Sequence, residues 1–311
     1  MMPSSSRPPR VFVCDYQFLS CGDVFTQGLA HAAEDLGIDY QHALWDAPDL
    51  PTRIGAFAPD LLLVVHGRRF VQRVQNPKVF GVPTAVWLLD EPYEVDDTEI
   101  TGHWFDHVFL NDPSTLHRHD GRGVYLPVCY DPHVHRPGSA PRTRSVGFIG
   151  GGNPTRDRYL AALADAHLLD YVIGGAWSRS SVNARCLAGN IAPAQTAAFY
   201  RDTRIVLNVF REVHHFNSEK IPATSLNPRV YEALACGAIV ASEWRPEIDT
   251  LVPELPTFRT EGECVGLVGA LLADTERAEA IRVQCAARLA PHTYAERLQT
   301  VLSTVGLAVA A

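Results

Sequence analysis

Residues 60–67 read DLLLVVHG, an unbroken apolar run closed by His66 and Gly67. A strand with one face in water alternates apolar and polar side chains, so a run like this suits a strand covered on both faces. Such strands belong to parallel sheets, and each parallel pairing needs a crossover, usually a helix. Similar runs recur at RVFVCD (10–15), TAVWLLD (84–90) and HVFLND (107–112), with DYQHALW (39–45) and GVYLPV (123–128) as further strands. The amphipathic stretch GDVFTQGLAHAAEDLG (22–37) lies between two of them and stops on a glycine, where a helix end favours left-handed backbone. Strand and helix in alternation predict a doubly wound α/β sheet.

The segment PVCYDPHVHRPGSAPRTR (127–144) breaks the alternation with four prolines and no apolar period, as a linker does. Alternation then resumes: SVGFIGGG (145–152), LLDYVIGG (168–175), RIVLNVF (204–210) and GAIVAS (237–242) read as strands, RDRYLAALADAH (156–167) as a helix, and 262–309 as largely helical. The expected organisation is a tail at 1–9, a Rossmann-like domain at 10–128, a linker at 129–143 and a second Rossmann-like domain at 144–290. A helix over 291–311 would pack back toward the first domain. Ligands of such sheets bind beyond the carboxyl ends of the strands, which predicts a cleft between the two domains.

Composition narrows the function classes. The 311 residues are 46% hydrophobic and 20% charged, ordinary for a globular protein. A net charge of −8 and a pI near 5.9 disfavour a strong non-specific grip on nucleic acid. The seven cysteines are scattered and never form C-x-x-C, so reduced thiols and a cytoplasmic location are expected, without zinc. No apolar run reaches the ~18 residues of a membrane span.

The stretch SLNPRVYEALACGAIVASEW (225–244) carries the most chemistry. Asn227 is a suitable N-cap and Pro228 the favoured first helical residue. Arg229 then stands in the first turn, where free N–H groups and the helix dipole favour an anion, and a guanidinium adds to that preference. Glu232, three residues on, can accept hydrogen bonds from sugar hydroxyls. The residues alone leave two readings open: a ligand grip, or an i,i+3 ion pair on a helix surface.

NPRVYEALACGAIVAS resembles the nucleotide-sugar motif of GT-B glycosyltransferases, especially the CgeB-type (spore-maturation) family. YLPVCYDPHVHRP (125–137), SVGFIGGGNPTRDRYLAAL (145–163) and WLLDEP (87–92) are similar to further elements of that family, in the same order. The resemblance covers roughly residues 10 to 290. It implies that Glu232 holds the ribose of a nucleoside diphosphate sugar and that Arg229 with the helix start faces the phosphates. It further implies Lys220 as a second diphosphate cation, with Asn208 and Arg211 directed to the same ligand. Many retaining GT-B enzymes carry a second glutamate eight positions before the first; here that position is Thr224, and the motif does not distinguish retention from inversion.

Other residues are candidates by position. The turn GFIGGGNPTR (147–156) lets backbone amides approach a phosphate, with Gly151, Gly152 and Asn153 as the expected contacts and Arg156 behind them; it is not G-x-G-x-x-G, which disfavours a dinucleotide cofactor. In the first half Asp23, an N-cap or a base, and His66, at a strand end, are the candidate catalytic bases, followed by Asp90 or Glu91. The groups HRH (117–119), HVH (133–135) and HH (214–215) lack the spacing of a metal site, and DEPYEVDDTE (90–99) has no D-x-D and reads as a solvated loop. The expected function is metal-independent transfer of a sugar from a nucleotide sugar to a small-molecule or protein acceptor, without a cofactor. A nucleic acid acceptor and a membrane-surface acceptor are disfavoured. A sugar-nucleotide epimerase and a non-catalytic nucleotide-sugar-binding protein are the alternatives.

Overall fold

A computed structural model describes residues 7–15, 22–189, 191–212 and 215–308, without the side chains of residues 22, 23 and 193. The chain forms two compact units. The N-terminal unit comprises Met1–Val128, Val213–Ser225 and Thr293–Ala311, and the C-terminal unit Cys129–Glu212 and Leu226–His292.

In the N-terminal unit the elements run β1 (Arg10–Asp15), α1 (Gly22–Asp35), β2 (Asp39–Leu44), α2 (Leu50–Phe57), β3 (Leu61–Val65), α3 (Arg68–Val74), β4 (Thr84–Leu88), α4 (Val95–Gly102), β5 (His107–Leu110) and β6 (Gly123–Tyr125). The strands form one parallel sheet in the order β2-β1-β3-β4-β5-β6. Every residue of β3 and β4 is buried, as their continuous apolar sequences require, whereas the edge strand β2 exposes residues on alternate positions. Phe12, Leu62, Val64, Val86 and Phe105 lie in the core on one side, each contributing roughly 1.5–3 kcal/mol by leaving water. The last helix, α12 (Tyr294–Thr304), packs on α1 of the same unit, close enough that a Cβ on Gly28 would stand 2.3 Å from the Tyr294 ring. Arg297 secures it, donating from Nε to Pro127 O at 2.7 Å. Asp112 secures the 213–225 segment by accepting from the backbone N–H groups of Thr224 and Ser225, at 2.7 and 2.9 Å.

The C-terminal unit repeats the plan with β7 (Arg144–Ile149), α5 (Pro154–Asp165), β8 (Tyr171–Ile173), α6 (Ser180–Asn183), β9 (Cys186–Ala188), α7 (Pro193–Asp202), β10 (Thr203–Asn208), α8 (Pro228–Ala235), β11 (Ile239–Glu243), α9 (Pro246–Leu251), β12 (Thr257–Phe258), α10 (Glu261–Ala273) and α11 (Thr275–Leu289). Its parallel order is β12-β11-β10-β7-β8-β9. Phe148, Leu160, Leu207 and Val268 sit at its core. The sequence reading identified the six strands of the first sheet and four of the second. It missed β9 and β12, three and two residues long, which carry no apolar period of their own.

Both sheets have a switch point, where successive strands are added in opposite directions: between β1 and β3 in the first, and between β7 and β10 in the second. Ligands of doubly wound sheets bind beside such points, at the carboxyl ends of the strands.

Candidate functional site

In the C-terminal unit, β7 ends at Ile149 and β10 at Asn208, on either side of the switch point. Arg229, in the first turn of α8, joins both: its Nε donates to Ile149 O at 2.9 Å and its Nη1 to Asn208 Oδ1 at 2.6 Å. The same Asn208 oxygen accepts from Asn227 Nδ2 at 2.9 Å, and Asn208 Nδ2 donates to Ser242 Oγ at 2.9 Å. Asn208 is fully buried, and this network fixes its amide orientation.

Asn227 occupies the cap position of α8 with extended backbone, but its side chain does not cap the helix as expected. The neighbouring Asn208 oxygen captures its amide, and its own Oδ1 is buried without a hydrogen-bond partner among the described residues. In place of a side-chain cap, the Val230 N–H donates to Asn227 O at 3.2 Å.

Phe148 forms an aromatic platform beneath this group. The Arg229 guanidinium lies 4.9 Å and that of Arg156 5.4 Å from its ring centroid, distances at which a cation is attracted to a π face. Arg156 donates to Val209 O at 3.0 Å and Gly151 O at 2.7 Å, and so clamps the glycine turn to the end of β10.

The glycine turn is built differently from the sequence expectation. Gly152 donates its N–H to Gly175 O at 2.7 Å, so that amide is not available to a phosphate. Asn153 caps α5, its Oδ1 accepting from Arg156 N at 3.0 Å. Gly151 is exposed with open space around it, and its N–H has no partner among the described residues. Tight packing of two loop strands explains the glycines: a Cβ on Gly174 would fall 1.9 Å from Gly150 O, and one on Gly152 2.3 Å from Ala176 O.

Glu232 and Arg229 do not form the surface ion pair that their spacing allows. Glu232 is 6% exposed; its Oε2 accepts from Tyr200 Oη at 2.9 Å, and its Oε1 lies 3.9 Å from His135 Nε2. Burial, and then the Glu232 charge, push the Tyr200 phenol well above its usual pKa, so it acts as a donor at neutral pH. The sequence reading missed Tyr200, His135 and Phe148. Tyr200 and Phe148 resemble ordinary core residues, and His135 lies in the proline-rich 127–144 segment, which has no apolar period.

Two cations expected beside the donor are placed less directly. Arg211 follows β10 by three residues and is half-buried. Lys220 is exposed, in left-handed backbone with φ 54°, and lies in the 213–225 segment of the N-terminal unit.

In the N-terminal unit Asp23 is the second residue of α1, inside the first turn and not at the cap before it; its side chain lies outside the described residues. His66 follows β3 with φ 70° and donates its N–H to Trp87 O at 2.8 Å. Its Nε2 lies 3.6 Å from Glu94 Oε2 and 3.9 Å from Asp90 Oδ2, so the structure brings together two of the expected base candidates and adds Glu94. Glu91, by contrast, points inward. Its carboxylate accepts from Thr98 Oγ1, lies 3.7 Å from His119 Nε2 and has a side-chain exposure of 0%. The 90–99 stretch is therefore not a solvated loop: Asp90 and Glu91 are buried, and its end enters α4.

Residues 156–303 match a family model described as glycosyl transferase-like. No curated protein sequence matches the chain. Among solved structures, sucrose-phosphate synthase from Thermosynechococcus elongatus is similar with a TM-score of 0.67 at 12% identity, over 96% of this chain and 99% of that one. HepE of Anabaena, in complex with UDP-glucose, gives 0.66 at 12% identity over 95% and 100%. The T4 phage β-glucosyltransferase gives 0.62 at 12% identity over 96% and 100%.

This chain has the GT-B glycosyltransferase fold. Its two Rossmann-like sheets are those of that fold, and most of the C-terminal unit lies within the stretch matched by the glycosyltransferase family model. Among the described residues, no helix of this GT-B chain is long and apolar enough to cross a membrane.

Proposed function

We propose that this GT-B chain transfers a sugar from a nucleoside diphosphate sugar to a hydroxyl or other nucleophile of an acceptor, the C-terminal unit holding the donor and the N-terminal unit the acceptor. The observation that carries the reading is Arg229, fixed at the start of α8 to the ends of both strands at the switch point. An anion there meets a guanidinium, a helix start and the Gly151 amide together. Negative charge grows on the departing diphosphate, so fixed donors at this place lower the barrier to transfer.

Glu232 takes the ribose hydroxyls through Oε1 while Tyr200 holds Oε2. On the acceptor's side, His66, Asp90 and Glu94 handle the proton that the attacking hydroxyl gives up. The CgeB-like resemblance of the 225–244 motif belongs to this reading. HepE has been solved with UDP-glucose, and a DNA-modifying β-glucosyltransferase in the presence of its substrate uridine diphosphoglucose, which makes UDP-glucose the first donor to test. The acceptor is a small molecule or a protein, in keeping with the net negative charge.

A thermal-shift screen against nucleotide sugars should give one donor that raises the melting temperature. Calorimetry with that donor should show greatly weakened binding in Arg229→Ala and in Glu232→Ala, both still folded. Unchanged affinity in both variants would sink the assignment. Mass spectrometry then separates the activities: a glycosylated acceptor marks a transferase, whereas conversion of the donor sugar with no acceptor present marks an epimerase.

A further inference from the structure

We propose that His66, Asp90 and Glu94 form a binding site for one divalent cation of the first transition row. His66 Nε2, Asp90 Oδ2 and Glu94 Oε2 all lie within 4.8 Å of one another, with the imidazole nitrogen 3.6 Å from one carboxylate oxygen and 3.9 Å from the other. These separations are too long for hydrogen bonds. They suit the edges of a coordination shell, since two ligands each about 2.1 Å from an ion stand roughly 3–4 Å apart.

The surroundings favour a cation. His66 is 5% and Asp90 8% exposed, and Glu94 is largely covered. Their one imidazole and two carboxylates offer three ligand atoms within reach of a single ion. One imidazole nitrogen with two carboxylate oxygens suits Mn²⁺, Fe²⁺ or Zn²⁺, the nitrogen favouring these over Mg²⁺ and Ca²⁺. Three protein ligands leave further positions open to water or to a hydroxyl.

The framework is set before any ion arrives. His66 closes β3 in a backbone conformation that L residues rarely adopt, with its N–H on Trp87 O of the neighbouring strand. Asp90 and Glu94 follow β4, the next strand, and the Glu94 N–H donates to Asp90 O at 3.1 Å. The ligands thus come from two adjacent strand ends, which fixes them better than one loop would. With an ion bound, His66 Nε2 and the two carboxylate oxygens act as ligands and not as proton acceptors, and a hydroxyl in an open position of the shell would become more acidic and release its proton to water. That consequence rests on the proposed transfer activity, whereas cation binding does not.

The test uses the full chain stripped with a chelator. Titration with Mn²⁺, followed by the electron paramagnetic resonance of the free ion, and titration with Zn²⁺, followed by competition with a chromophoric chelator, should each give one equivalent bound. Bound Mn²⁺ should show coupling to a nitrogen nucleus. Glu94→Gln and Asp90→Asn keep shape and remove charge; each should weaken binding at least about ten-fold, with melting curves confirming that both variants fold. Absence of stoichiometric binding of either ion, or binding unchanged in both variants, would overturn the proposal. UDP affinity measured on the same samples reports on the donor assignment separately, so failure of one reading is distinguishable from failure of the other.

Discussion

Arg229 and Asn208 meet across the switch point of the C-terminal sheet, the guanidinium Nη1 donating to the amide Oδ1 at 2.6 Å. The same guanidinium donates to Ile149 O, so one side chain joins the ends of β7 and β10 through two fixed bonds. Lysine offers a single point charge and cannot reproduce that fork. Arg229→Lys should therefore lose at least about ten-fold in nucleotide affinity, read by calorimetry. Retention of wild-type affinity would show that charge alone suffices there.

Tyr200 is the donor to Glu232 Oε2, and both groups are buried. Tyr200→Phe leaves a carboxylate oxygen shielded from water without that partner, at a cost of about 1–3 kcal/mol. Urea unfolding should report this loss. In a double-mutant cycle with Glu232→Ala the two effects should be less than additive, because each removes the one shared bond.

Gly174 and Gly151 form an internal control. Gly174 has φ 133°, and a Cβ there would stand 1.9 Å from Gly150 O, whereas nothing lies within 4 Å of a Cβ on Gly151. Gly174→Ala should cost at least about 1–3 kcal/mol from backbone strain alone. Gly151→Ala should leave stability nearly unchanged. Equal melting temperatures for the two variants would contradict the packing described for this turn.

Burial pushes the thiols of Cys236, Cys264 and Cys285 up to about 12. The thiolate is the reactive form, so at neutral pH these three should resist alkylation in the native protein and react fully in denaturant. Peptide mapping after iodoacetamide treatment checks each site. Cys186, which is partly exposed, should label first among the described cysteines.

Burial raises the pKa of Glu243, while its hydrogen bond from Phe210 N works in the opposite direction. A carboxyl raised in the folded state gives stability that is fully present below its unfolded pKa and lost as pH rises through the folded value. Glu243→Gln keeps an oxygen for Phe210 N and removes the half-buried charge. The variant should gain stability relative to wild type at pH 7, and the difference should shrink as pH falls through the folded pKa toward the ordinary glutamate range. Melting curves across that range test the sign.

The sequence by itself determined the layered α/β architecture. LLLVV and TAVWL have no polar alternation, and chains of that kind are stable only inside a covered parallel sheet, as β3 and β4 are. It also located the 225–244 motif, because Pro228 at a helix start and Gly237 past its end are local signals read from neighbouring residues. The partners were a different matter. Whether Arg229 pairs with Glu232, or with the Asn208 side chain and the Ile149 carbonyl, depends on groups up to 80 positions away that only strand order brings together. The same holds for Tyr200 and His135 against Glu232, for Lys220 in the N-terminal unit, and for Glu94 joining His66 and Asp90. Local propensity acts over a few residues, but a site is a set of side chains from distant segments, and tertiary packing decides which of them meet.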